Sequence, residues 1–185
     1  MEGLAIPLQK FGEFLVTKTI SDPLSFLTNL LTNKGRSDLY GIYLTSVTVL
    51  ADCEANYEYE ISESSIEAEV ESLLRREEDD WNRLLVQVRR DQNQIVFPIV
   101  FLRNLEPVTV YFIVEGNEIS LSVSIPTLVL TEFVTEVTFY QHLLKEVALF
   151  AGKNPSTVRF TLGAVSLQWD EVVERGCARE VDIGF

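Results

Sequence analysis

The stretch YFIVEGNEISLSVSIPTLVLTEFVTEVTFYQHLLKEVALFAGKNPSTVRFTLGAVSLQ, Tyr111 to Gln168, decides the fold. It opens within a hairpin. The runs Val108–Val114 and Glu118–Ile125 are rich in strand-forming residues and flank Glu115-Gly116-Asn117, a turn that glycine permits. In the second run Ile119, Leu121, Val123 and Ile125 alternate with Ser120, Ser122 and Ser124, so one face is apolar and the other small and polar. The period then changes from two to 3.6. Phe133, Val137, Tyr140, Leu144, Val147 and Ala151 fall on one stripe, widened by Leu143 and Phe150, which predicts a helix from about Thr131 to Ala151 with Gly152 at its end. A strand over Thr157–Trp169 follows. Its apolar phase switches from Val158, Phe160 and Leu162 to Val165, Leu167 and Trp169. Gly163 stands at the switch, where a bulge costs least.

Upstream, Leu24, Leu27, Leu30 and Leu31 predict a helix over Ser21–Thr32, capped by Ser21 or Asp22, with Pro23 in its first turn and Gly35 after its end. The β-branched run Leu39–Ala51 reads as a strand. Its phase changes from Ile42 and Leu44 to Val47 and Val49, which places a bulge near Thr45–Ser46. Ile66, Val70, Leu73 and Leu74 predict a helix over Ser64–Arg76, with Ser64 or Ser65 as cap and an opposite face that is almost all glutamate. Strands are expected at Leu84–Val88 and Gln94–Leu102. Ile95–Leu102 is apolar on both faces, the pattern of a strand covered on both sides, while Pro98 argues for a bulge or an edge. The fold class is therefore α/β, more closely α+β: a bulged mixed sheet packed by helices, in a single domain over residues 1–185.

At 185 residues, 46% hydrophobic and with positive mean hydropathy, the chain has the composition of one packed domain. No apolar run is long enough to span a bilayer and no basic-then-apolar leader is evident, so the expected compartment is the cytoplasm, with no membrane partner. Cys53 and Cys177 form no CxxC or Cys/His grouping, and neither a disulfide framework nor a metal site is expected. Of the net charge of −13, Asp52–Asp80 carries −10, from twelve acids against two arginines. Such a stretch repels a nucleic acid duplex. It reads as a solvated helix face, with a docking surface for a protein partner at 52–80 as the sharper alternative. Consecutive helix residues diverge, so Glu77–Glu78–Asp79–Asp80 is no designed cation site. No Gly-rich phosphate loop or GxSxG elbow occurs, no cofactor is implied, and the one histidine, His142, has no catalytic neighbour in sequence.

The segment from Tyr111 to Gln168 resembles the thymidylate synthases and related pyrimidine hydroxymethylases. In that family a hairpin F-x-V-x-x-G-x-L-S leads to a Y-Q-R-S loop, P-F-N-I-A opens a buried helix, and a G-D-x-H-I-Y strand follows. The hairpin, the helix and Phe160–Gly163 (FTLG) align in that order, and Asn33–Leu44 is weakly similar to the family's first strand and basic loop. The resemblance implies the family's fold, but not its chemistry. A cysteine thiolate must attack the pyrimidine ring, and the corresponding stretch Arg103–Pro107 has none. The phosphate-binding arginine falls at Pro126 and the pyrimidine-reading asparagine at Val137. The aspartate, histidine and tyrosine of the last motif fall at Ala164, Ser166 and Gln168, and the closing C-terminal tail has no expected counterpart.

Lys34 and Arg36 stand where the family's phosphate-binding loop would be. Arg89 and Arg90, read as the end of a strand, stand near arginines that in the family reach across a dimer. The resemblance thus implies a non-catalytic relative, a structural or interaction protein assembled as a homodimer through a sheet face that the helices leave bare. The alternative is a module that binds a nucleotide or small anion at Lys34, Arg36, Arg89 and Arg90 without turnover.

Overall fold

A computed structural model of the chain describes residues 14–15, 23–37, 41–53, 63–90, 95–103, 106–168 and 170. The elements run β1 (Phe14–Leu15), α1 (Pro23–Lys34), β2 (Arg36–Ser37), β3 (Gly41–Asp52), α2 (Glu63–Arg76), α3 (Glu78–Arg90), β4 (Ile95–Arg103), β5 (Glu106–Glu115) and β6 (Glu118–Val129). A 3₁₀ turn (Leu130–Glu132), α4 (Phe133–Ala151) and β7 (Asn154–Gln168) complete the order. The strands form one mixed sheet in the order β1-β3-β7-β6-β5-β4, with β2 pairing on β3. β6 and β7 are parallel and joined through α4, β1 is parallel to β3, and the remaining pairs are antiparallel. The chain is thus a single mixed α/β domain, and no described helix is long and apolar enough to cross a membrane.

The described helices gather on one face of the sheet. α4 is the centre of that layer. Phe133, Val137, Tyr140, Leu143, Leu144 and Val147 are all buried, and the rings of Phe133 and Tyr140 meet Phe160 of β7 edge-on, with centroids 5.7 and 5.8 Å apart. Phe150, expected on this stripe, is half exposed instead. Gly152, at φ 65°, ends the helix. Its N–H and that of Lys153 return to Leu149 and Ala148, the motif that satisfies the last carbonyls. α2 buries Ile66, Val70 and Leu73 as its spacing predicts, and α1 buries Leu27 and Leu31. The Ser21–Asp22 cap, Trp169, Cys177 and residues 54–62 of the acidic stretch lie outside the described residues, as does the side chain of Leu24.

Two expectations are corrected. Leu84–Val88 is part of helix α3, not a strand. Leu84, Val86 and Val88 alternate, but only Leu84 and Val88 are buried, with Trp81 ahead of them at helical spacing, while Val86 faces out. Trp81 packs edge-on against Phe112 of β5, 5.7 Å between centroids. Glu78, Asp79 and Asp80 in the first turn complement the positive end of the helix, and the arginines Arg89 and Arg90 fall in its last turn. Second, β4 is not covered on both sides. It lies at the edge of the sheet, where Pro98 is tolerated. Ile99 and Phe101 are buried beneath the helices, but Val96, Val100 and Leu102 on the other face are 56%, 54% and 58% exposed.

The bulges expected at Thr45–Ser46 and at Gly163 are parts of one feature. The β3–β7 register passes from Thr45↔Ala164 to Val47↔Leu162, leaving Ser46 and Gly163 opposite each other and unpaired in the ladder. The β6–β7 register likewise passes from Ile125↔Leu162 to Thr127↔Ala164, skipping Pro126 and Gly163. Ser46 has φ 56°, a left-handed conformation that side chains rarely adopt. A Cβ on Gly163 would stand 2.5 Å from the carbonyl oxygen of Pro126. On all three strands the buried phase changes here, from Val47, Leu162 and Val123 on one side to Leu44, Val165 and Leu128 on the other. Ser46, Gly163 and Pro126 thus form a kink line across the middle of the sheet.

Candidate functional site

Just before the kink line β5 and β6 part. Their ladder ends at Val110↔Val123, while β6 stays with β7 as far as Val129↔Ser166. The fork between the start of β5 and the second half of β6 holds a pocket of about 310 Å³. Pro107 and Val108 form one wall, Ile125 to Val129 the other, with Ser166 of β7 beside them. The end of β4, the 3₁₀ turn and the first turns of α4 close it with Arg103, Glu132, Glu136 and Tyr140. Pro126, which has no N–H to give, costs little here, because β5 has already left the strand.

Arg103 is 7% exposed and Glu136 8%. The Arg103 guanidinium donates through Nε to both Glu136 carboxylate oxygens at 3.0 Å, and Nη2 lies 2.9 Å from Oε1. Nη1 donates to Glu69 of α2. The guanidinium carbon also sits 3.6 Å from the centroid of the Phe139 ring, a contact of about 2 kcal/mol when desolvated. A buried charge survives only when paired and hydrogen-bonded, and this one is held from three sides. Burial raises the Glu136 carboxyl above its ordinary value, against the hydrogen bond and charge of Arg103. Burial, and then the Glu136 carboxylate, push the Tyr140 hydroxyl well above the usual tyrosine range. That hydroxyl has no hydrogen-bond partner among the described residues.

Lys34 lies exposed at the end of α1, and Arg36 exposed on β2. Arg89 and Arg90 end α3, and their side chains lie outside the described residues. β2 pairs with β3, whereas α3 packs beside β4. Four strand spacings separate β3 from β4, roughly 19 Å at about 4.8 Å each. Within one chain the two basic pairs therefore stand apart, and none of the four lines the pocket.

The positions that the resemblance aligned with the family's chemistry divide differently. Arg103 and Pro107, Pro126 and Ser166 all line the pocket. Val137 is wholly buried in the core, Ala164 is half-buried and Gln168 exposed. The pocket wall carries no thiol among the described residues. Cys53 is buried at the end of β3, its Sγ donating to the carbonyl of Gln141 at 3.7 Å, and Gln141 in turn donates to the Asp52 carbonyl. His142 sits half-buried on α4, outside the pocket wall.

Sequence reasoning passed over Arg103, Glu136 and Tyr140. Their signal is slight: one cation closing the apolar run of β4, and a Glu/Tyr pair at i, i+4, which share a helix face. Glu69 stays on the exposed acidic face of α2, and its carboxylate also accepts from Arg103. Compared with known protein-family models and with curated proteins, the chain finds no match.

Proposed function

We propose that the chain is a non-catalytic relative of the thymidylate synthases that works as a structural or interaction protein, assembled as a homodimer through the open face of its sheet. The observation that carries this reading is the one-sided layering. Opposite the helices, Val96, Val100 and Leu102 of β4 are more than half exposed, and Tyr111 of β5 beside them is 41% exposed. Tyr111 pairs with Pro98 on one side and Ser122 on the other, so the apolar strip passes into the small serines of β6. A contiguous apolar patch beyond a few hundred Å² is uncommon on a monomer, and a two-fold axis lets one sheet cover its copy.

The likeness to the thymidylate synthases gains support from the pocket, because separate stretches matched to that family's chemistry meet in one fork. Pro126 and Ser166, with no thiol beside them among the described residues, support the loss of turnover. Sedimentation equilibrium tests the assembly. Twice the chain mass of 21.0 kDa is expected at micromolar concentration, and 21.0 kDa throughout would sink the dimer. Incubation with a fluorinated deoxyuridine nucleotide tests the chemistry, with no covalent adduct as the expected result.

A further inference from the structure

The pocket in the β5–β6 fork has a composition that selects its occupant. Arg103 gives it no free positive charge, because the guanidinium is bound to Glu136 and Glu69 together. Glu132, exposed in the turn before α4, adds another carboxylate to the wall. Among the described residues the local balance is therefore negative, and an anion would meet carboxylates with no unpaired cation in the wall to receive it. The rest of the wall is mainly apolar, led by Pro107, Val108, Ile125 and Leu128. Tyr140, which lines this pocket and is fully buried, has no hydrogen-bond partner for its hydroxyl among the described residues. Buried polar groups ordinarily have partners, so one without a partner at a pocket wall marks a place for a ligand atom.

The geometry points to a binding site for a small organic cation: an ammonium group on a compact apolar body, carrying an oxygen acceptor. The ammonium pairs with Glu132 at the mouth, beside Glu136. The body lies against Pro107, Val108 and Leu128, and the oxygen takes the Tyr140 hydroxyl. A volume of about 310 Å³ suits on the order of ten non-hydrogen atoms, at the roughly 30 Å³ that a water occupies in the liquid. This site is independent of the dimer and opposite in sign to a nucleotide site.

Three probes of one shape test it by calorimetry at millimolar concentration: 2-phenoxyethylamine, 2-phenoxyethanol and phenoxyacetate. The amine is expected to bind best and phenoxyacetate worst. Glu132→Gln should weaken the amine about tenfold, the loss of one charge-assisted contact, and leave the alcohol unchanged. Tyr140→Phe should weaken amine and alcohol alike. Equal or tighter binding of phenoxyacetate, amine binding indifferent to Glu132→Gln, or no binding of the amine would each overturn the proposal. Glu132 is exposed, so its variant keeps the test decisive even if Tyr140→Phe does not fold.

Discussion

At the scale of single residues, Arg103 is the largest electrostatic commitment among the described residues. Its charge is buried, so removing one partner is costlier than removing both. Arg103→Met should destabilise by about 3–5 kcal/mol, because it leaves the Glu136 carboxylate uncompensated. Arg103→Met combined with Glu136→Leu should cost far less, a difference that urea unfolding of the three proteins would measure. The acids of α2 should separate in the same experiment. Glu67→Gln and Glu71→Gln are expected within about ±0.5 kcal/mol of wild type, but Glu69→Gln should cost about 1 kcal/mol, since that side chain is tied to Arg103. Glu136 also gives stability a pH dependence. Burial leads in raising its carboxyl above 4.5, Arg103 opposes, and Glu69 and Glu132 add smaller upward pushes. A carboxyl raised in the folded chain keeps its proton longer there than in the unfolded one. Its contribution is therefore full below the ordinary glutamate value and is lost as pH rises through the raised value. Glu136→Gln should flatten that part of the stability curve, and an unchanged slope just above pH 4.5 would show that Glu136 titrates as a surface glutamate does.

Among the elements, the kink line leaves the least room for change. Gly163→Ala sets a Cβ against the backbone of Pro126, and overpacking of this kind costs about 1–3 kcal/mol. A thermal melt equal to wild type would mean that β6 and β7 can spread apart. The kinks were legible in the sequence on β3 and β7, because each buries one face and a change of apolar phase is local information. The hairpin, α4 and α2 were legible for the same reason. α3 was not, since Leu84, Val86 and Val88 satisfy a period of two while Trp81, Leu84 and Val88 satisfy a helical one. The acids before that run and the arginines after it were the better guide. β4 gave two signals: the apolar run Ile95–Leu102 suggested cover on both faces, while Pro98 pointed to a bulge or an edge, and the strand lies at the edge. The pocket was illegible, because it arises where β5 stops pairing with β6, and its charged groups come from β4, the turn before α4 and α4 itself.

For the whole molecule the one-sided layering sets the expected behaviour. If β4 and β5 cover their copies, the melting temperature should rise with protein concentration, as it does when folding and association are linked. Val100→Lys with Tyr111→Lys should abolish that dependence and halve the sedimenting mass while leaving the helical signal intact. A double variant that still doubles its mass would place the contact elsewhere. The kink line has a last consequence, for how such a chain can change over descent. Ser46, Gly163 and Pro126 stand at one level on three strands that are distant in sequence. A residue inserted or deleted in any one of them, between the line and the strand's end, would carry its kink out of step with the other two. Compatible length changes must therefore arrive in concert or be confined to the loops.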